Sequence, residues 1–208
     1  MLERTGLKRK LPLREWKQIY ASFSPYSKMH HCLREASVFA LSCIKSVDKS
    51  NGWLRTFYFH FVLDDERKGF SRQIDYLRNY AEFISLDDAV TLLKSGDPID
   101  GRYICITFDD GYKNNFTNAL PILVEKKIKA AFFLITAYIS DYPPDIVDLK
   151  TTYDGIPVET LTWDDCRQML SEGMIIGSHT VNHAVLAGLD SKDVEAELRV
   201  SKSVIEEK

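Results

Sequence analysis

Two adjacent carboxylates, Asp109 and Asp110, follow directly on the apolar run Ile104, Cys105, Ile106, Thr107, Phe108 and precede Gly111. Side by side at the end of a buried strand they repel each other and resist desolvation, so the fold must solvate them or supply a partner. His179 and His183 stand four residues apart after a second short apolar run, "MIIGSH". Two imidazoles and one carboxylate match the protein ligands of a catalytic zinc site, which leaves a fourth position for water. The other carboxylate is then free to take a proton from a water that the cation has made more acidic. Each half also has a plainer reading, because Asp-Asp-Gly is a turn former and a lone His pair at this spacing need not bind anything. Their joint occurrence at strand ends, with Thr107 and Ser178 alongside, points to a divalent cation and an activated water.

The elements that must position these groups alternate along the chain. "RTFYFHFVL" (55–63) reads as a first strand, rich in aromatic and β-favouring residues. "FSRQIDYLRNYAEFI" repeats apolar residues at helical spacing, and "SLDDAVTLLKSG" is a second helix opened by Ser85 and closed by Gly96. "YICITF" is a strand, "NNFTNALPILVEKKI" a helix and "AAFFLIT" another buried strand. After a loop at 140–159, "TWDDCRQMLSEG" is a helix capped by Thr162 and stopped by Gly173, "MIIGSH" a strand, and "SKDVEAELRVSKSVIEEK" a final amphipathic helix. Asp164 and Asp165 suit the N-terminal dipole of their helix. Strands alternating with helices predict an α/β fold around a parallel sheet, open or closed into a barrel, with the site at the carboxyl ends of its strands.

Ahead of this lies a different region. Residues 11–47 carry apolar positions compatible with two helices broken near Ser24-Pro25, and Ser50-Asn51-Gly52 marks a boundary between a helical extension, 1–50, and the main domain, 51–208. The net charge of −3 hides an asymmetry: residues 1–50 hold ten Lys and Arg against four Asp and Glu, the remainder 17 against 26. A basic extension is compatible with weak contact to an anionic membrane surface, or is simply a solvated helical face; no nucleic-acid partner is expected. Cys32, Cys43, Cys105 and Cys166 show no CxxC spacing and read as free thiols. No run reaches the roughly 18 apolar residues of a membrane span and no signal peptide is recognised, so a cytoplasmic chain is expected.

"TFDDGY" followed by "SHTVNHAVL" resembles the first two motifs of the polysaccharide deacetylases, the NodB-homology domain or carbohydrate esterase family 4. "FHFV", "GFSRQIDYLRNY", "FISLDDAVTLL" and "LTWDDCRQMLSEGMIIGSHT" are similar to that family's connecting pattern, so the likeness spans roughly residues 55–208. The resemblance implies a distorted (β/α) barrel and a divalent metal, usually zinc, held by Asp110, His179 and His183. It further implies that Asp109 is the base activating water against the acetamide of an N-acetylated saccharide, that the Tyr112 backbone amide helps stabilise the oxyanion, and that Thr180 braces the site. Phe108 is expected in the core, His60 is expected as a satisfied core histidine, and His30 and His31 receive no role.

The chain ends at "SVIEEK", in the helix after the histidine motif. The family pattern continues with an Arg-bearing strand, an acidic tryptophan motif and a Leu-x-His whose histidine serves as general acid. The expectation is therefore an incomplete barrel with exposed edges. Two alternatives to a working deacetylase follow: an impaired fragment or saccharide-binding module that keeps the metal cleft, and an amide or formyl hydrolase acting on a lipid-linked sugar.

Overall fold

The structure, a computed structural model, describes residues 12–22, 24, 25, 28, 29, 52–141, 152, 153 and 156–208. Helix α1 (Trp16–Ser22) precedes strand β1 (Trp53–Phe59), helix α2 (Arg67–Arg78), the short strand β2 (Glu82–Phe83) and helix α3 (Leu86–Ser95). Strand β3 (Arg102–Phe108) leads through a π-helical turn, Asn115–Ala119, into helix α4 (Leu120–Glu125), and strand β4 (Ala131–Leu134) follows. A hairpin of β5 (Thr152–Tyr153) and β6 (Ile156–Pro157), helix α5 (Trp163–Ser171), strand β7 (Ile175–Ser178) and helix α6 (Ser191–Glu207) complete the order.

Strands β1, β3, β4 and β7 form a parallel sheet in that order, and β2 also runs parallel to β3. The α/β architecture with a parallel sheet is as expected, and the sheet is open among the described residues, with β1 and β7 at its margins. Ile104, Ile106 and Phe108 of β3 alternate onto the face that packs against helices, where Phe70 and Ile74 of α2, Leu123 of α4 and Cys166 and Met169 of α5 bury their side chains. Phe108, fully buried, stacks between Phe59 (5.5 Å) and Phe132 (4.8 Å). Its placement in the core is as expected. A second, smaller cluster joins Leu13 and Ile19 of the N-terminal segment to Leu63, Tyr112 and Val158. The second helix read from residues 33–44, His30, His31, Cys32, Cys43 and the Ser50-Asn51 turn lie outside the described residues.

Four elements differ from the sequence reading: the β5–β6 hairpin falls within the loop expected over 140–159, and each of the other three differs for a physical reason. The "AEFI" end of the helix expected over 70–84 is instead strand β2, whose neighbour Ile84 donates its N–H to Ile104 O. The helix expected from Asn114 starts as a π turn in which Leu120 N–H reaches Asn115 O. Pro121 has no N–H to donate back into the preceding turn, so the wider turn accommodates it at the start of α4. Strand β1 stops at Phe59 rather than Leu63. Beyond it Val62 exchanges the sheet ladder for side chains: Asn114 Oδ1 accepts from its N–H at 3.0 Å, and Asn118 Nδ2 donates to its carbonyl at 2.8 Å.

Cys105 and Cys166 are free and buried, and burial pushes the Cys166 thiol up to about 12. Both caps foreseen from the sequence are present. Ser85 and Asp88 close a capping box on α3, Thr162 and Asp165 one on α5. Asp165 does more than cap, because its carboxylate, 8% exposed, also pairs with Lys113 Nζ at 2.6 Å. Replacing the exposed Asp88 by Ala is expected to lower stability only slightly. Asp165→Ala should cost about 3 kcal/mol or more, since it also strands a half-buried ammonium. Urea unfolding of the two variants beside wild type checks the ranking.

Candidate functional site

β3 delivers Asp109 and Asp110 to the carboxyl edge of the sheet, and β7, two strands away, delivers His179 and His183 to the same edge. The Asp109 N–H is tied to Phe59 O at 2.9 Å and its side chain is half-buried, whereas the Asp110 side chain is only 6% exposed. Asp110 Oδ1 lies 3.5 Å from His179 Nε2 and 3.7 Å from His183 Nε2, and the imidazole centroids are 4.9 Å apart. That carboxylate oxygen is buried and makes no hydrogen bond.

These separations exceed a good hydrogen bond but suit a shared cation. A tetrahedral ion with bonds of about 2.0–2.2 Å holds its ligands about 3.3–3.6 Å apart. One ligand atom from each of Asp110, His179 and His183 lies within 4.8 Å of the others. An orphaned buried oxygen facing two imidazole nitrogens is therefore the arrangement a divalent metal would satisfy. Asp109 lies outside this triad, next to it in the chain.

His60 corrects an expectation. It is not a satisfied core histidine: it sits just past the end of β1 with 41% of its side chain exposed, and its Nε2 lies 3.9 Å from Asp110 Oδ2. The early end of β1 is what brings it to the site's rim, so Asp110 has imidazoles near both oxygens. Tyr112 is buried and stacks on Phe61 at 4.3 Å. Its backbone forms an isolated antiparallel bridge with Thr160, flanked by Lys113 N–H to Glu159 O and Leu161 N–H to Gly111 O. That pattern is the non-hydrogen-bonded pair, which turns the Tyr112 N–H away from the 156–161 segment.

Backbone strain concentrates here. Among the described residues, the non-glycine positions with positive φ are Asp110 (73°), Thr180 (67°), His183 (57°) and Lys127 (54°), and the first three belong to the site. Such conformations cost on the order of 1–3 kcal/mol each and persist only where surroundings enforce them. Thr180 is held through its backbone, accepting from Thr136 N–H at 3.2 Å and donating to Ser178 Oγ at 3.2 Å. Farther along, Glu197 of α6 accepts from the N–H groups of Val181 and Asn182 and from the Asn182 side chain. The Asn182 side-chain amide, then its backbone N–H, hold the Glu197 carboxyl below the usual carboxylate range. Nothing in an amphipathic helix pattern distinguishes Glu197, and sequence reasoning did not find it.

Gly111 also adopts positive φ (77°), and a Cβ there would stand 3.0 Å from both Ile139 Cδ1 and Leu134 Cδ2. Gly96 has a similar φ but open space around it.

Comparisons with known proteins give the chain its family and confirm its fold. The family model for polysaccharide deacetylases matches residues 96–208, and the chain belongs to that family. A chitooligosaccharide deacetylase of Sinorhizobium fredii is 30% identical over 128 residues, covering 61% of this chain and 44% of that one. A poly-beta-1,6-N-acetyl-D-glucosamine N-deacetylase of Staphylococcus aureus is 32% identical over 116 residues, covering 52% of this chain and 39% of that one. The chain spans about half the length of the curated relatives it matches. The structure of IcaB from Ammonifex degensii superposes with a TM-score of 0.60 at 22% identity, over 76% of this chain and 69% of that one, and shows the shared fold.

Gly96→Ala is expected to cost about 1 kcal/mol, the price of a left-handed L-residue. Gly111→Ala should cost at least about 1 kcal/mol more, because it also crowds the core beneath the site. Denaturant midpoints of the two variants make the comparison.

Proposed function

We propose that this chain carries the catalytic machinery of a metal-dependent deacetylase that removes N-acetyl groups from N-acetylglucosamine-type saccharides. The observation that carries this reading is the buried, unpartnered Asp110 Oδ1 facing His179 and His183. Asp110, His179 and His183 would hold zinc or another divalent transition metal. When bound, the ion supplies positive charge that polarises the acetamide carbonyl and makes water a stronger acid.

The remaining steps belong to the protein's own groups. Asp109, fixed through its N–H to β1, takes the proton from the attacking water. The Tyr112 N–H donates toward the oxygen on which charge develops, where a preformed donor is worth most. His60, on the Oδ2 side of Asp110, is the third imidazole of the described residues and donates to the departing amine. The saccharide names of the relatives support the substrate class, and the named polymers remain those of the relatives.

The test is acetate release from N-acetylglucosamine oligomers with zinc added. Wild type should release acetate, and Asp109→Asn should lose on the order of 10²–10⁴ in rate while still binding zinc. His60→Gln should fall comparably. No acetate from wild type, or an Asp109→Asn variant as fast as wild type, would overturn the reading. Saccharide binding without acetate from either would instead identify a binding module.

A further inference from the structure

We propose that Glu197 and Ser201 of helix α6 are positioning residues that hold the histidine loop, 179–183, in its metal-binding conformation. The inference rests on the metal-site reading above. The two residues are four apart on one helix; Glu197 reaches the loop directly, and Ser201 reaches it through Ser178 at the end of β7. Glu197 Oε2 accepts from Val181 N–H at 2.8 Å and Asn182 N–H at 3.0 Å, and Glu197 Oε1 accepts from Asn182 Nδ2 at 2.8 Å. Ser201, fully buried, shares a 2.5 Å hydrogen bond with Ser178 Oγ, which in turn accepts from Thr180 N–H.

These bonds fall where the loop cannot hold itself. β7 ends at Ser178, and the loop's other side is tied to the β4 end through His179 N–H to Leu134 O, Thr136 N–H to Thr180 O and Ala137 N–H to Val181 O. The N–H groups of Val181 and Asn182 both donate to the Glu197 carboxylate, and Thr180 and His183 on either side are both strained. Without an acceptor at Glu197, two backbone donors lose their partner and the left-handed residues are free to relax. His183 then departs from Asp110, although Glu197 touches neither residue's side chain. A residue that orients ligands in this way commonly changes metal affinity by about 10–100-fold.

The test is titration of the full 208-residue chain with Co²⁺, read by visible absorption, with zinc competition and melting of the metal-free protein. Glu197→Ala should bind cobalt about 10–100-fold more weakly than wild type. Glu197→Gln, which keeps a carbonyl acceptor for the two N–H groups, should regain most of the affinity. Ser201→Ala, which removes one hydroxyl, should lose up to about 10-fold and repeats the test if Glu197→Ala does not fold. Glu197→Ala with wild-type affinity and band shape but a lower melting temperature would show a merely structural role and overturn the proposal. So would a Glu197→Gln variant as weak as Glu197→Ala. Absence of cobalt binding by wild type would overturn the metal-site reading itself, which separates the two failures.

Discussion

A carboxylate oxygen buried without a hydrogen bond is the constraint around which the site is arranged. Asp110 Oδ1 has lost its water and gained no donor, a state that costs several kcal/mol for an ionised group unless positive charge compensates it. Two imidazole nitrogens approach to 3.5 and 3.7 Å, too far to discharge that debt by good hydrogen bonds and well spaced to share a cation with it. The strained backbone at Asp110, Thr180 and His183 is the local consequence of aiming three ligands from two non-adjacent strands at one point.

The sheet makes this geometry robust. β4 lies between β3 and β7 and sets the distance between the two ligand-bearing strands, while Phe59, Phe108 and Phe132 stack across three adjacent strands directly below the site. Rigid packing beneath and tethers above divide the work: the core fixes where β3 and β7 end, and α6 fixes the path of the chain after β7. Residues 12–19 extend the same logic to the other rim, where Leu13 and Ile19 pack with Tyr112 and Arg14 pairs with Glu159 at 3.0 Å.

Much of this was legible in the sequence. The apolar run before Asp109 and the run before His179 announced buried strands, and side-chain period and capping residues located most helices. Ser85 and Thr162 cap as their types suggest because capping is local chemistry. What escaped was non-local. His60 looked like a core residue because it sits among aromatics, and only the replacement of ladder bonds by Asn114 and Asn118 ends β1 early enough to expose it. Glu197 lies 14 residues beyond His183, half-buried on the same face of α6 as Ser201, and two of its partners are backbone N–H groups, which leave no trace in residue types.

The most direct measurement of the central claim is the thermal melting of wild type and Asp110→Asn, each in chelator and in zinc. If a cation compensates Asp110, zinc raises the wild-type melting temperature through binding to the native state and leaves Asp110→Asn unmoved. In chelator, the neutral amide relieves the buried charge, and Asp110→Asn melts at or above wild type. An Asp110→Asn variant that melts well below wild type in chelator and still gains stability from zinc would contradict the account.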